Sequence, residues 1–242
     1  MTSARVEEIL AEVVEGSTPA ADAPQRLVRA CTRALPVTGV GLILMTDAGP
    51  AGTVAASDGP ASTMEDLQFT LGEGPCVECS TIGRPVLQPD LLRTGPERWP
   101  GFSAGALEAG IRAIFAFPLR MGGIRLGVLD IYRDTAGELS GAQLAEALSF
   151  ADAATALLLH LQARQSADGS GPGAIPVLED RAEVHQATGV ISVQADVSMA
   201  EALVRLRARA YASSRPILEV ARDVLNGAMS FHGEHHDRYD GG

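Results

Sequence analysis

The chain contains no lysine: all 19 of its basic residues are arginines, in a sequence of 242 residues. Chemistry that needs a lysine amine is therefore excluded, including Schiff-base catalysis and the lysine of a phosphate-binding loop. Cysteine is also scarce, and three cysteines in a chain of this length do not make a disulfide scaffold. The Cys-x-x-Cys pair at Cys76 and Cys79 has no second pair to complete a four-ligand zinc site.

Long apolar runs and a secretory signal are missing as well. The longest apolar runs, such as residues 39–45 and 155–159, are far shorter than the roughly 18 residues that span a membrane. The first residues, MTSARVEEIL, lack the basic region and apolar run of a signal peptide. We therefore expect a soluble, cytoplasmic protein.

Acidic residues outnumber basic ones by 30 to 19, which gives a formal net charge of -11. This balance argues against a broadly basic nucleic-acid coat and against adsorption to an anionic membrane. The charge is unevenly distributed, because residues 180–230 hold 6 arginines and 6 acidic residues and are neutral overall. A polyanion is therefore repelled least by this last part of the chain.

The motifs of common enzyme classes are absent. The sequence has no G-x-S-x-G, no H-E-x-x-H and no phosphate loop. The two histidines before the C-terminal tail, His160 and His185, both fall in predicted helices. We expect no enzymatic activity, no cofactor and no metal site, and we expect the His-rich residues 232–242 to form a disordered polar tail.

The first 165 residues combine helical and strand patterns. Two N-terminal helices are predicted at residues 6–13 and 22–35, the second with Asp22 as its cap. Four residues of the second helix are expected to face inward: Leu27, Ala30, Cys31 and Ala34. Short apolar runs predict strands at residues 39–45, 53–57 and 85–88. The clearest pair, residues 111–120 and 124–133, is joined by Met121-Gly122-Gly123 and predicts a hairpin.

A long helix is predicted from residue 140 to residue 165. Apolar and small residues repeat at helical spacing over much of its circumference: Leu144, Leu148, Ala151, Thr155, Leu158 and Leu159. Such a helix packs against neighbours on more than one side. Two interpretations stay open, a seam between two copies of the chain or a helix buried between the sheet and its loops.

The composition changes after this helix. Residues 166–176 have the Ser, Gly and Pro content of a linker, and residues 177–231 return to a helical pattern before the tail. The sequence therefore predicts two globular parts, a larger part with helices and strands over residues 1–165 and a small helical part after the linker.

Three short amphipathic helices are predicted in the second part, which is typical of a small bundle. The first runs over residues 177–193, and Gly189 inside it suggests a close approach of the backbone to another helix or to a ligand. The second starts with a capping box formed by Ser198 and Glu201. The expected apolar stripes of the second and third helices are Met199, Leu203, Leu206 and Ala210, and Ile217, Val220, Ala221, Val224 and Ala228.

Several motifs in the first part resemble those of a GAF domain of the actinobacterial type. In chain order they are GEGPC at residues 72–76, Arg84-Pro85-Val86, Asp90-Leu91, Arg98-Trp99-Pro100, Phe115-Ala116-Phe117-Pro118-Leu119 and Leu126-Gly127-Val128-Leu129. The resemblance covers residues 20–165. It implies an α+β fold, with an antiparallel sheet flanked by helices, that senses a small molecule, a redox state or a partner.

The helical part resembles an ANTAR domain, the RNA-binding antitermination module, over residues 177–228. The matching motifs are Ala187-Thr188-Gly189, then Glu201-Ala202 and Leu206-Arg207-Ala208-Arg209-Ala210, and finally Val220-Ala221. Proteins of this family generally act as dimers on paired RNA hairpins in nascent transcripts. The resemblance therefore implies a homodimeric, signal-responsive regulator that promotes transcription antitermination on hairpin leader transcripts.

RNA loops are bound through arginine contacts with phosphates and through stacking of splayed bases. The candidate RNA-binding residues are the arginines of the bundle, its aromatic residue and two residues of the first-helix motif: Arg181, Arg205, Arg207, Arg209, Arg215, Arg222, Tyr211, Thr188 and Gly189. By helical spacing Arg205 and Arg209 share a face, and Arg207 lies on the other side of the apolar stripe. The alternative is that these arginines pair with acidic residues on solvated helix faces: Asp196, Glu201, Glu219 and Asp223.

Two places that are basic in many relatives hold Thr188 and Gly227-Ala228-Met229 in this chain. We therefore expect RNA binding with a shallow dependence on salt. Two other functions stay open at the level of sequence. One is a sensor whose bundle dimerises or docks on a partner without RNA, and the other is a thiol redox sensor based on Cys76 and Cys79.

Overall fold

Two compact units make up the chain, one over residues 1–178 and the other over residues 179–242. The computed structural model describes residues 3–14, 22–46, 49–167, 182–213 and 215–231. The predicted linker lies almost wholly outside the described residues, and the predicted tail lies wholly outside them.

The first unit is built on a five-stranded antiparallel sheet with the strand order β2-β1-β5-β4-β3. Its strands are β1 (Gly39–Thr46), β2 (Gly49–Ala56), β3 (Val86–Gln88), β4 (Ala113–Met121) and β5 (Ile124–Arg133). The predicted hairpin is confirmed, because β4 and β5 pair from Ala113 opposite Arg133 to Met121 opposite Ile124. The predicted α+β fold class is therefore confirmed for this unit.

Helices cover both faces of the sheet, which explains why its central strands are apolar on both sides. In β5, Leu129 and Ile131 lie in one core, whereas Val128 and Tyr132 lie in the other. Successive side chains of a strand point to opposite faces, so a continuous apolar run is the pattern of a strand buried on both faces. Asp130 follows the same alternation and faces the second core.

Three helices cover the first face: α1 (Ala4–Val14), α2 (Ala23–Ala34) and α7 (Gly141–Ala167). The predicted inward face of α2 holds in large part, since Leu27 and Cys31 are fully buried, and Ile9 of α1 is fully buried as well. Arg5 of α1 forms a two-nitrogen contact with Glu146 of α7, with its Nε 3.1 Å from both carboxylate oxygens.

The long helix α7 lies on the sheet, and its apolar residues divide between the core and the surface. Phe150 and Leu158 are 1% and 0% exposed, whereas Leu148 is 42% exposed. The segment Gly141–Ala163 is long and apolar enough to cross a membrane, although 44% of its most apolar window is buried inside the protein. A core helix of a soluble protein passes the same test, so this segment is weak support for a membrane span.

Four helices cover the second face: α3 (Gly59–Leu71), α4 (Pro75–Ile82), α5 (Leu91–Arg98) and α6 (Pro100–Glu108). Helix α3 was not predicted from the sequence, where the dipeptide Asp58-Gly59 is a turn signal. The signal was present, because Asp58 caps the helix by accepting from the Ala61 backbone N–H at 2.8 Å and Pro60 stands in the first turn.

The second unit contains three helices in its described residues: α8 (Ala182–Ala195), α9 (Met199–Ala212) and α10 (Ile217–Leu225). Each contacts the other two. The predicted cap of α9 is confirmed, because Ser198 Oγ accepts from the Glu201 backbone N–H at 3.2 Å. The Glu201 carboxylate instead accepts from Arg205.

Several predicted details of the helices are wrong. Ala34, Met199 and Ala228 were placed on buried stripes, but all three are exposed. Ala34 and Met199 stand at helix ends, where the chain leaves the core, and Ala228 lies beyond the last residue of α10. Asp22 precedes α2 as predicted, but its side chain makes no capping hydrogen bond.

Gly127 tests the close packing of the sheet. A Cβ atom at this position would lie 2.2 Å from the backbone oxygen of Ile43, which cannot move without disturbing β1. We expect Gly127→Ala to lower the free energy of unfolding by about 1–3 kcal/mol or more, as overpacking of a core does. Gly123→Ala is the matched control, because its added Cβ meets nothing within 4 Å. Urea unfolding measures both, and equal stabilities would contradict the packing described.

Candidate functional site

The surface of α9 carries a strip of small and apolar residues bordered by arginines. Val204 and Tyr211 are 60% and 75% exposed, and Ala208 between them is also exposed. By helical spacing, Arg207 lies along one border of this strip and Arg205 along the other, with Arg209 beyond Arg205. We call Val204, Ala208 and Tyr211 the outer face of α9.

Three of the candidate arginines form ion pairs within the second unit. Arg205 Nη2 lies 2.7 Å from Glu201 Oε1, and Arg222 Nε lies 2.6 Å from Glu183 Oε2. Arg215 Nη1 lies 2.7 Å from Asp223 Oδ2, with Glu219 at 3.4 Å from its Nε. For these three arginines the pairing on solvated faces is found. Exposed pairs of this kind stabilise a protein by only about 0–1 kcal/mol.

The remaining candidate arginines differ in exposure. Arg209 is exposed, whereas Arg207, which belongs to the matched motif, is half-buried at the border of the outer face. Arg181 lies outside the described residues. The structure thus places Arg207 beside Tyr211 at the exposed strip, whereas Arg209 is exposed further round the helix.

The two candidates on α8 have different surroundings. Thr188 is 3% exposed, and its hydroxyl donates to the Val184 carbonyl oxygen at 2.7 Å, so it lies inside the bundle rather than on its surface. Gly189 is half-buried, and a Cβ added to it meets nothing within 4 Å. The predicted close approach of another helix to Gly189 is therefore not found among the described residues.

The GEGPC motif forms the turn between α3 and α4. Gly72 ends α3 in the left-handed conformation with φ of 62°, and Gly74 has φ of 132°. A Cβ on Gly74 would lie 2.7 Å from Gln68 Oε1, so only glycine fits there. Glu73 Oε1 accepts from the Phe102 backbone N–H at 3.0 Å and so caps α6. The two glycines of the motif are therefore required by the turn, and Glu73 is required by the cap of α6.

The Arg98-Trp99-Pro100 motif is held by Glu78 of α4. Trp99 Nε1 donates to Glu78 Oε2 at 3.1 Å, and Arg98 Nε donates to the same oxygen at 2.9 Å. The Arg98 guanidinium also lies 4.5 Å from the centre of the Trp99 ring, within the range of a cation–π contact. This arrangement fixes the start of α6 against α4.

Two carboxyl groups lie fully buried between the sheet and α3. Glu65 and Asp130 are both 0% exposed, and Tyr132 beside them is 1% exposed. The Tyr132 hydroxyl donates to Glu65 Oε1 at 2.7 Å, and Gln68 Nε2 donates to Asp130 Oδ2 at 2.9 Å. Burial raises the pKa of Asp130 to about 7, and burial with the two nearby carboxyl groups raises the pKa of Tyr132.

This cluster of Glu65, Gln68, Asp130 and Tyr132 was not predicted from the sequence. The only signal was an acidic residue inside an otherwise apolar strand, Asp130 in the run from Leu126 to Tyr132. Glu65 and Gln68 gave none, because their helix was not predicted. They share one face of α3 at a spacing of three residues.

The three cysteines are buried and free. Burial raises the pKa of the Cys31 and Cys79 thiols well above the ordinary value, so the reactive thiolate is disfavoured. Cys76 is also 0% exposed. The geometry therefore gives no support to a redox pair at Cys76 and Cys79. Over the described part of the chain, no group of three or more His, Cys, Asp or Glu residues is placed to hold a metal ion.

Comparison with protein families finds two matches. A family model of the GAF domain (GAF_2) matches residues 20–158, and a model of the ANTAR domain matches residues 177–225. The first is a small-molecule-sensing domain and the second an RNA-binding antitermination domain, and both are regulatory. No curated protein matches the chain.

Solved structures similar to the chain include GAF domains. The GAF domain of the phosphoenolpyruvate-protein phosphotransferase from Acinetobacter is 14% identical, with a TM-score of 0.52, over 67% of this chain and 95% of that one. A domain of a two-component sensor histidine kinase protein from Sinorhizobium meliloti is 18% identical, with a TM-score of 0.50, over 63% and 99%. At these identities the likeness shows the fold alone.

A free methionine-R-sulfoxide reductase from Thermoplasma acidophilum is also similar in fold. It is 18% identical, with a TM-score of 0.45, over 58% of this chain and 93% of that one. The likeness is too distant to bear on catalysis.

Gly189 tests whether the backbone of α8 is open to solvent. Because an added Cβ meets nothing within 4 Å, Gly189→Ala should only remove the helix penalty of glycine and stabilise the second unit by about 1 kcal/mol. Gly227→Ala is the contrasting control, since its φ of 72° strains a side chain and should destabilise. Thermal unfolding measures both. A loss of stability in Gly189→Ala would show that another residue packs against Gly189, and would contradict the open surroundings found here.

Proposed function

Because the chain belongs to the GAF domain family over residues 20–158 and carries an ANTAR domain at residues 177–225, we propose that it is a signal-responsive, RNA-binding regulator of transcription antitermination. The GAF unit senses a small molecule or a partner, and the ANTAR unit binds hairpins in leader transcripts. The protein acts in the cytoplasm as a homodimer. It is a regulator rather than an enzyme.

The observation that carries this proposal is the outer face of α9. Tyr211 is 75% exposed, and a tyrosine in that position can stack on an unpaired base. Arg207, four residues before Tyr211, borders the same face and can reach a phosphate beside that base. An exposed aromatic ring beside an arginine is the combination that binds a base and its phosphate in a single-stranded RNA loop.

The ion pairs of the bundle do not oppose this function. Arg205, Arg215 and Arg222 pair with exposed carboxylates, and each such pair contributes little to stability. A phosphate can therefore replace a carboxylate at modest free-energy cost. The neighbouring acidic groups still repel the RNA backbone, which limits the number of phosphates that the bundle neutralises and keeps the salt dependence shallow.

The outer face of α9 can be tested with the full-length protein and a two-hairpin leader RNA. We expect Tyr211→Ala to weaken binding by about 5- to 150-fold, the range of one lost base stack. Arg207→Ala should weaken binding about tenfold or more, because it removes a charged contact. Fluorescence anisotropy at two salt concentrations measures both, and circular dichroism checks that each variant remains folded.

Arg33→Ala is the matched control, because Arg33 is an exposed arginine of the GAF unit that pairs only weakly with Glu12. It changes the net charge by the same amount as Arg207→Ala and should leave binding nearly unchanged. The slope of log affinity against log salt should be shallow, about one unit for each phosphate neutralised. A slope of order ten, or equal losses in all three variants, would contradict the proposed face.

The alternative function is a bundle that docks on a protein without RNA. The observation in its favour is Val204, an apolar residue of the outer face that is 60% exposed. Absence of RNA binding at low salt, with and without cell extract, would favour this alternative. Val204→Asp would then be the variant to test against a captured partner.

The proposed homodimer can be tested on α7. Leu158 is buried, so its replacement would disrupt the core, but Leu148 is 42% exposed on the outer side of the helix. We expect the wild-type protein to run at twice its chain mass of 25.2 kDa and Leu148→Glu to run as a monomer. Leu92→Glu on α5, at a residue that is 63% exposed, is the matched control. Light scattering measures the masses, and an unchanged mass in Leu148→Glu would refute a seam at this position.

A further inference from the structure

One phenol hydroxyl lies between two buried carboxyl groups in the GAF unit. The Tyr132 hydroxyl donates its single proton to Glu65 Oε1 at 2.7 Å and lies 3.5 Å from Asp130 Oδ2. A phenol has one proton to donate. A hydrogen bond between Tyr132 and Asp130 therefore needs a proton on Asp130, with the phenol oxygen as acceptor.

The orientation of the Gln68 amide is fixed by the backbone. Gln68 Oε1 accepts from the Cys76 backbone N–H at 2.8 Å, and an N–H group can only donate. The Gln68 amide nitrogen must therefore face the other way, where it lies 2.9 Å from Asp130 Oδ2 and 3.2 Å from the Tyr132 hydroxyl. The two polar groups next to Asp130, the Gln68 amide and the Tyr132 phenol, are thus both uncharged.

The second carboxyl oxygen of Asp130 favours the neutral acid. Asp130 Oδ1 is buried and accepts no hydrogen bond within the described part of the chain. A half-charged carboxylate oxygen without a donor is costly in a dry core, whereas the carbonyl oxygen of a neutral acid is less so. With its proton on Oδ2, Asp130 donates towards the phenol and leaves Oδ1 as that carbonyl oxygen.

We infer that Glu65, Tyr132 and Asp130 form one proton-binding site in the GAF unit, and that Gln68 transmits its occupancy to the first turn of α4. The site adds a signal, the proton, to the proposed sensing role. It stands whether or not the bundle binds RNA.

The transmission follows from the contacts of Gln68. When Asp130 releases its proton to solvent, its carboxylate faces the Glu65 carboxyl group across Tyr132. The Gln68 amide can then reorient towards the Asp130 carboxylate. That movement weakens the hydrogen bond from the Cys76 backbone N–H. It also disturbs Gly74, whose Cα lies so close to the amide that a Cβ would be 2.7 Å from Gln68 Oε1.

The other titratable groups near the site are few. On α4, the buried Cys79 thiol feels the charge of Asp130, and Tyr132 feels that of the buried Cys76 thiol. Glu78 of the same helix is engaged by Arg98 and Trp99. The remaining charged residues of α3, α5 and α6 are exposed: Asp66, Arg93, Glu97 and Glu108.

The flanking strands add little charge to the site. Strand β1 has no titratable residue, and it supplies Gly41, where a Cβ would lie 1.6 Å from Glu65 Oε1. The one titratable residue of β4, Arg120, donates to the Gly83 carbonyl oxygen at 2.8 Å at the far end of the strand. Gly41 therefore leaves room for the carboxyl group of Glu65. Neither β1 nor β4 places a positively charged side chain beside the site.

The direction of the pH effect follows from the raised pKa. Asp130 has a pKa of about 7 when folded and 3.8 as its ordinary value, so between these values the folded protein holds a proton that the unfolded chain has lost. The stability that this proton contributes is complete below the ordinary value and is lost as the pH rises through about 7. Asp130→Asn, which mimics the neutral acid, should therefore show a flatter dependence of unfolding free energy on pH over this range.

The direct test is nuclear magnetic resonance of the full chain, with carbon-13 at aspartate side-chain carboxyls and nitrogen-15 at cysteine amides. We expect one aspartate carboxyl to titrate with a midpoint near pH 7, and the Cys76 amide signal to shift with the same midpoint. Both transitions should vanish in Asp130→Asn. They should persist in Asp152→Asn, the control at an exposed aspartate of α7.

A second variant keeps the test decisive if Asp130→Asn fails to fold. Tyr132→Phe removes the phenol that links Asp130 to Glu65, so the midpoint of the aspartate transition should shift. A Cys76 amide that does not respond to pH would overturn the transmission through Gln68. An aspartate transition that survives in Asp130→Asn, or an unchanged midpoint in Tyr132→Phe, would overturn the proton site itself.

Discussion

The GAF unit depends on the side chain of Gln68, which satisfies polar groups in a core that has helices on both sides of the sheet. It accepts from the backbone of α4 and donates to Asp130 of β5 and to Tyr132. Without it, a backbone N–H and a buried carboxyl group would both lose partners, and each loss costs about 1–3 kcal/mol. The GEGPC turn is the backbone part of the same arrangement, because Gly74 leaves room for that amide.

The ANTAR unit places its polar groups differently. Its core is apolar, and the one buried hydroxyl, within the residues that the structure describes, is that of Thr188, which bonds to its own helix. The charged groups lie outside, in pairs that contribute little to folding. The outer face of α9 therefore exposes Tyr211 to solvent, with Arg207 half-buried beside it.

The sequence predicted those parts of the fold that depend on local patterns. The β4–β5 hairpin, the cap at Ser198 and the buried stripes of α1 and α10 follow from spacing and turn chemistry within a few residues. Helix α3 was missed because its Asp-Gly-Pro start is also a turn signal.

The site residues show the same division. The exposure of Tyr211 follows from its place opposite the apolar stripe of α9. Leu148 and Leu158 of α7 could not be assigned to surface and core, because that helix is apolar over much of its circumference. The proton site could not be foreseen, since it joins residues 65, 68, 76, 130 and 132, which only the folded chain brings together.

The measurement that tests the central claim most directly is a map of where RNA touches the protein. A two-hairpin leader RNA carrying photoreactive uridines in its loops would be crosslinked to the full-length chain, and the modified peptides identified by mass spectrometry. The account predicts crosslinks in the peptide that contains Tyr211 and the end of α9. Crosslinks confined to the GAF unit, or none at an RNA concentration that saturates binding, would contradict it.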